Sequence, residues 1–194
     1  KITDQKESED QIEVYTGKDI ERYGIRNFRY FEFKDEFITG RTRDTDKLGK
    51  EKKVLLRKTG GKLIGTYDDS GRFPEQSLYF LYGQKEETLK YLLGILNSDL
   101  MTFFYRAELV TNLDSIPQLK NYHLDLIPIK RNQKTLKQIK NRVENLLMLK
   151  DDYLKLNLDI SDYLGNYSEG DTLDDLYTPA SGVSDTPLTD TASD

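Results

Sequence analysis

The sequence predicts an α+β fold: a twisted antiparallel sheet with an internal helix, followed by a long helical arm. Three observations carry that prediction. Short segments rich in aromatic and β-branched residues, alternating in polarity and separated by Gly and Asp turns, run from Gln11 to Tyr82. From Glu86 to about Arg106 the apolar spacing becomes helical. Residues 132–160 then carry one continuous seam of apolar residues three and four apart.

In chain order, residues 1–10 are polar and charged and read as a linker. QIEVY (11–15) alternates like a half-buried strand, and TGKDIERYGI (16–25) follows as a turn with a short helix or loop. NFRYFEFK (27–34) alternates again, with aromatic residues on both faces. Residues 39–53 hold Leu48 as their lone large apolar residue and read as a long exposed loop. KVLLRK and KLIGTYD flank Thr59-Gly60-Gly61 as a tight hairpin, and Gly65 in its second strand marks a bulge or a close backbone approach. LYFLYG (78–83) is a further strand. Leu89, Leu92, Leu93, Leu96, Leu100 and Phe103–Phe104 form one helical stripe, of which Leu92, Leu93, Leu96 and Phe103 are expected in the core. Asn97, an amide in that stripe, is expected to bind a buried backbone group or mark a kink. LDLIPI (124–129) reads as a short strand that Pro128 places at an edge or a strand end.

The final helix has Asn132 or Thr135 as its N-cap. Its seam of Leu136, Ile139, Val143, Leu146, Leu149, Tyr153, Leu156 and Ile160 has one stammer-like phase slip. At 1.5 Å per residue it would be roughly 40 Å long, and its stripe must pack on something. Residues 165–194 are rich in Asp, Ser, Thr and Pro and read as an acidic tail. The predicted organisation is a linker over 1–10, a recognition domain over 11–131, a helical arm over 132–164 and a tail over 165–194.

The formal net charge of −5 hides a segregation. Residues 159–194 hold nine acids and no Lys or Arg, leaving 29 basic against 25 acidic residues before them. Residues 17–65 hold fourteen basic and eight acidic residues. A polyphosphate partner needs cations gathered on one surface rather than a high overall pI. Zero cysteines exclude disulfides and thiolate metal sites and fit a cytoplasmic protein. The single histidine, His123, reads as a surface or edge residue and makes a His-based metal site or triad implausible. A start at Lys1, with no apolar leader and no membrane-length run, predicts a piece of a longer soluble protein with no membrane partner.

No catalytic motif accompanies these segments. The chain has no Gly-rich S-adenosylmethionine loop, no Asn/Asp-Pro-Pro-Tyr, no Walker A and no G-x-S-x-G. Asp68-Asp69 and Asp151-Asp152 read as solvated doublets rather than metal ligands. The binding candidates are Arg41, Arg43, Lys47, Lys50, Lys52 and Lys53 in the basic loop, then Arg57, Lys58, Lys62, Arg72 and Gln76. Such residues hold phosphates or read base edges in a groove that a two-stranded ribbon or a loop can enter. Arg57 and Lys58 equally suit solvation of an outer strand face, and pattern alone does not separate the two.

Four motifs then occur in order: Gly17-Lys18-Asp19-Ile20 with Arg22-Tyr23; Leu56-Arg57-Lys58-Thr59-Gly60 with Ile64-Gly65-Thr66-Tyr67-Asp68; Tyr91–Ser98; and Ile116–Lys120 with Leu124–Ile129. Together they resemble the TaqI-like specificity domain that adenine-specific DNA methyltransferases and fused restriction–modification enzymes carry C-terminal to their catalytic domain. Ile116 stands where an aromatic is usual, and Gly65 where Ala is common. The resemblance implies a non-catalytic module that binds double-stranded DNA for the parent's methyltransferase domain, in a type II restriction enzyme context. S-adenosylmethionine is then expected in that missing domain and no cofactor here. It also implies a docking role for the long helix, by helix–helix packing within the parent or in a dimer. The rival reading is a protein-interaction module that assembles a complex through that helix.

Overall fold

The computed structural model describes residues 2–38, 42–110, 116–130 and 132–156. It is an α+β fold of three small sheets and five α-helices among the described residues. In the first sheet, β1 (Ile2–Thr3) and β2 (Gln11–Tyr15) flank β5 (Arg29–Glu32) antiparallel, and β8 (Phe73–Pro74) joins β2 in parallel. The second is a hairpin of β3 (Ile20–Glu21) and β4 (Gly24–Ile25), where a helix or loop was expected. Tyr23 closes its two-residue turn at φ 63°, a conformation such turns demand. In the third sheet, β6 (Lys53–Arg57) lies antiparallel between β7 (Gly65–Asp68) and β9 (Leu78–Leu81).

Strand β6 is the hub. Its Val-Leu-Leu run is apolar without alternation, the pattern of a strand covered on both faces. Val54 packs with Leu89, Leu93 and Val143; Leu55 with Tyr15, Ile20 and Leu78; Leu56 with Leu63, Leu96, Met101 and Tyr105. Three consecutive side chains thus serve three different clusters. The expected tight hairpin is a wider one, because the strands stop at Arg57 and restart at Gly65, leaving the loop 58–64.

The expected continuous helix from Glu86 is two. Helix α2 (Glu86–Leu96) stops at Asn97, and Ser98 caps α3 (Asp99–Phe104) by accepting from the Met101 amide at 3.1 Å. A π-helical turn, Tyr105–Leu109, follows. The break has a cause. Asn97 Oδ1 accepts from the Gly65 amide at 2.8 Å while its Nδ2 donates to the Gly65 carbonyl at 2.9 Å, as a neighbouring strand would. That carbonyl also accepts from the Tyr23 amide at 3.0 Å. Gly65 lets the elements cross this closely here, since a Cβ there would lie 2.9 Å from the Leu55 carbonyl oxygen and 3.2 Å from Leu93. The break also rotates α3, so Phe103, expected in the core, is exposed at 70%, and Leu100 of the same stripe at 76%.

Two further expectations are corrected. The segment expected as a strand at 124–129 begins inside α4 (Asn121–Asp125) and then runs on without strand pairing. His123 is buried rather than superficial: its Nδ1 accepts from the Lys120 amide at 3.1 Å, and its ring meets Tyr122 and Tyr105 edge-on. Burial, reinforced by the Lys120 charge, pushes the imidazole below its ordinary range.

Helix α5 (Gln133–Lys155) starts at Asn132, whose side chain accepts from the Lys134 and Thr135 amides. Its packing partner is its own domain, chiefly α2. At Gly94 a Cβ would meet Ile139 Cγ2 at 2.5 Å and Val143 Cγ2 at 2.9 Å, so only glycine lets α2 and α5 cross this closely. Lys90 on α2 pairs with Glu144 on α5 at 2.9 Å, and Lys150 with Glu21 of β3 at 2.6 Å. The docked face therefore runs through Ile139, Val143 and Leu147 to Lys150 and Leu154, with a helical repeat. The predicted seam diverges from it, and Leu146, Leu149, Tyr153 and Leu156 are exposed. Ile160 and the acidic tail lie outside the described residues.

Asn97→Ala orphans the buried Gly65 amide and should cost roughly 1–3 kcal/mol in urea unfolding, with the m-value unchanged. For His123 the folded pKa lies below the unfolded value of about 6.5. The unfolded chain then binds more protons, so its contribution is complete above about pH 6.5 and is lost as pH falls through the folded value. His123→Asn should flatten that part of a stability-against-pH profile.

Candidate nucleic-acid interface

The basic loop is organised by a single helical turn. Asp44 accepts from the Lys47 amide at 3.1 Å and caps α1 (Thr45–Leu48), a turn not foreseen in a segment read as loop. Leu48 is buried and pins this turn to the domain, while Gly49 ends it. Thr42, Arg43, Lys47, Lys50 and Lys52 are exposed around it. Lys52 has φ 56°, a left-handed residue that turns the chain into β6. Lys47 pairs with Asp44 at 3.0 Å and Lys52 with Glu86 at 3.2 Å. These are solvent-exposed pairs, weak enough for a phosphate to compete with. Asp44 is held below the usual carboxylate range by its hydrogen bond to Lys47, and Glu86 by hydrogen bonds to Lys90 first and then Lys52. Arg43 donates to the Ile38 carbonyl at 3.4 Å. Arg41 lies outside the described residues.

Four of the predicted residues are placed where they serve the fold. Lys53 is fully buried at the start of β6, 3.2 Å from Asp68, and donates to the carbonyls of Leu48 at 3.2 Å and Lys50 at 2.7 Å. Burial pushes its ammonium down and Asp68 opposes that. Arg57 is half-buried, its guanidinium donating to the Ile20 carbonyl, with burial pulling its pKa down. Lys58 is buried and donates to the Gln76 carbonyl, its ammonium 4.5 Å from the Tyr79 ring centre. Arg72 pairs with Glu13, donates to the Tyr15 hydroxyl at 3.1 Å and lies 4.3 Å over the Phe28 ring. The Lys53 and Lys58 side chains are buried, which corrects the expectation that they present on a loop and an outer face. The reason is register: Lys53 is opposite Asp68 across the β6–β7 ladder, where a buried cation finds its counter-ion. Asp68, expected to be solvated, is spent on this pair and on Ser70 at 2.7 Å.

Lys62 and Gln76 are exposed. Lys62 sits in the loop 58–64, which is braced from an unexpected direction. Thr59 bridges to Gln118, the Gly60 amide donates to the Pro117 carbonyl at 2.9 Å, and the Leu119 amide donates to the Lys58 carbonyl at 2.6 Å. The Pro-Gln-Leu-Lys segment is thereby laid along the hairpin tip. Exposed Thr59, Lys62, Gln118 and Lys120 come together there, and neither 57–64 nor 116–120 contains a carboxylate. Gln118 and Lys120 were absent from the sequence candidates. Their one signal was two acid-free stretches, and nothing local says that segments so far apart pair.

The exposed candidates are therefore Arg43, Lys47, Lys50 and Lys52 before β6, and Lys62 beyond its end beside Gln118 and Lys120, with Gln76 also exposed. Ammonium, guanidinium and amide groups on loops held by a rigid sheet suit phosphate contact and base-edge hydrogen bonding. No group of three or more His, Asp or Glu residues that could hold a metal occurs among the described residues. No described helix is long and apolar enough to cross a membrane. A family model described as the TaqI-like C-terminal specificity domain matches residues 12–129. No curated protein matches the chain.

Lys53→Ala leaves Asp68 buried without its cation and should cost about 3–5 kcal/mol in chemical unfolding. Lys62→Ala, on the exposed tip, should change stability by no more than about 0.5 kcal/mol in the same assay.

Proposed function

The chain belongs to the family of TaqI-like C-terminal specificity domains, the DNA sequence-specificity modules of restriction–modification enzymes, and from that premise we propose that it holds target duplex DNA for a separate methyltransferase domain of its parent. That domain flips an adenine and methylates N6 from S-adenosylmethionine, while this module performs no chemistry and carries no cofactor. The parent acts in the cytoplasm and can carry a nuclease as well. The carrying observation is the division of the basic residues: Lys53, Arg57, Lys58 and Arg72 build the scaffold, while Lys47, Lys50, Lys52, Lys62 and Lys120 stay exposed on loops fixed to it. A scaffold of this kind can hold phosphates in register while amides such as Gln76 and Gln118 meet base edges.

The test is selection of a randomised duplex pool at low salt, followed by affinity at rising salt. One short motif should emerge, and log affinity should fall linearly with log salt. Lys47→Ala, Lys50→Ala and Lys62→Ala should each weaken all sequences alike and reduce the salt slope by about one unit per lost phosphate contact. Gln118→Ala should relax selection at one position if it reads a base. Duplex binding that is absent at every salt concentration sinks the reading.

One observation favours a second reading, an assembly module. The exposed residues Leu146, Leu149, Tyr153 and Leu156 keep the 3, 4, 3 spacing of a coiled-coil seam on a helix already docked by its other face. That reading predicts concentration-dependent self-association in size exclusion, abolished by Leu149→Glu, with no salt-sensitive DNA binding.

A further inference from the structure

A cleft of about 370 Å³ opens between the first sheet, β9 and the segment leading into α1. Its wall is made largely by Phe31, Phe33, Phe37, Phe73 and Phe80, with Leu48 of α1 beside them. Phe33 meets Phe31 and Phe73 edge-to-face, at centroid distances of 6.4 and 5.4 Å. Phe80 stacks on Tyr82 at 5.5 Å with an interplanar angle of 22°. Polar groups enter at three described positions, Thr42, Glu75 and Gln76. The Glu75 carboxylate is spent on the Ser77 amide and hydroxyl, at 2.8 and 2.6 Å. The Thr42 hydroxyl oxygen accepts from the Asp44 amide at 3.2 Å, which leaves the exposed Gln76 amide as the main polar handle at the mouth.

Five phenylalanines around solvent-accessible volume leave aromatic faces without the close packing that protein interiors reach. The size and lining are those of a small-ligand site, apolar with a few placed polar groups. What selects the occupant is the neighbouring charge. The same turn that lends Leu48 to the wall carries exposed Lys47, and Lys50 follows it. On that turn the Lys47 ammonium pairs with Asp44 at 3.0 Å, one residue from the Leu48 that lines the cleft. Flat aromatic walls, an amide at the rim and cations just outside match the three parts of a nucleotide: planar base, base edge and phosphate. An aliphatic side chain of a protein partner would use the walls but neither the amide nor the cations.

We infer that this cleft accepts one unstacked nucleobase of the bound nucleic acid, with its faces against the phenylalanines, its edge at Gln76 and its phosphate at Lys47 and Lys50. The inference rests on the DNA-recognition reading and adds to it a base site within this module, apart from the one that a catalytic domain would supply.

The test uses the full 194-residue chain and three labelled duplexes: fully paired, with a single bulged adenine, and with an abasic site at the bulge. Fluorescence anisotropy should show the adenine bulge bound at least about fivefold more tightly than the abasic bulge. Thr42→Trp fills the mouth from an exposed position, and Phe37→Ala removes part of the wall. In each, that ratio should fall towards one, with the fully paired duplex as internal reference and a thermal melt confirming the fold. Equal affinity for adenine and abasic bulges overturns the inference while leaving DNA recognition intact. A preference that survives Thr42→Trp also overturns it, because the base then sits elsewhere. Absence of binding to all three duplexes removes the recognition reading itself.

Discussion

Burial of β6 on both faces is the constraint from which the rest of the structure follows. A strand with Val54, Leu55 and Leu56 in series cannot face water on either side, so each side chain must be met by a different element. Helix α2 covers one face, and the β2–β3 region covers the other. At the strand's ends lie the two lysines that the hairpin could not place in solvent, Lys53 and Lys58, and each is satisfied by backbone carbonyls of a neighbouring turn. Buried cations thus fasten the loops before and after the sheet to its centre.

The fastening decides which basic residues remain for a partner. A cation with an inward counter-ion or carbonyl holds a loop in place; a cation on that loop with only exposed partners is available. Lys53 anchors the carbonyls of Leu48 and Lys50, and so fixes the turn on which Lys47 and Lys50 stand. Lys58 anchors Gln76, whose side chain is exposed. Loss of an anchor and loss of a surface cation would both weaken binding, for opposite reasons: the first through geometry, the second through charge.

Two close approaches set the remaining geometry. At Gly65, the side chain of Asn97 completes a backbone edge that no strand reaches, and ends α2 in doing so. At Gly94, α5 comes close enough for Ile139 and Val143 to lie against the α2 backbone. Because α5 is held by this face, its coiled-coil-like residues from Leu146 onward point elsewhere. One helix therefore carries two apolar faces, one consumed by the fold and one still exposed.

Much of this was legible in the sequence, for physical reasons. Alternation and apolar runs follow from the two-residue period of a strand and the helical repeat, so β2, β5, β6, β9, α2 and α5 were readable in place. Asn132 as a cap and Asn97 as a buried amide at a kink followed from what those side chains do to nearby backbone. Charge segregation gathered most of the basic candidates into residues 17–65. What the sequence could not reveal was which cations face water, because Lys53 and Lys47 look alike until Asp68 is placed opposite one of them by strand register. The turn at 45–48, the bridge from Thr59 to Gln118, the burial of His123 and the outward rotation of Phe103 are likewise decided by contacts between distant segments. Local pattern sets an element's type; its partner, and therefore which of its faces is left for function, is set only when the chain closes on itself.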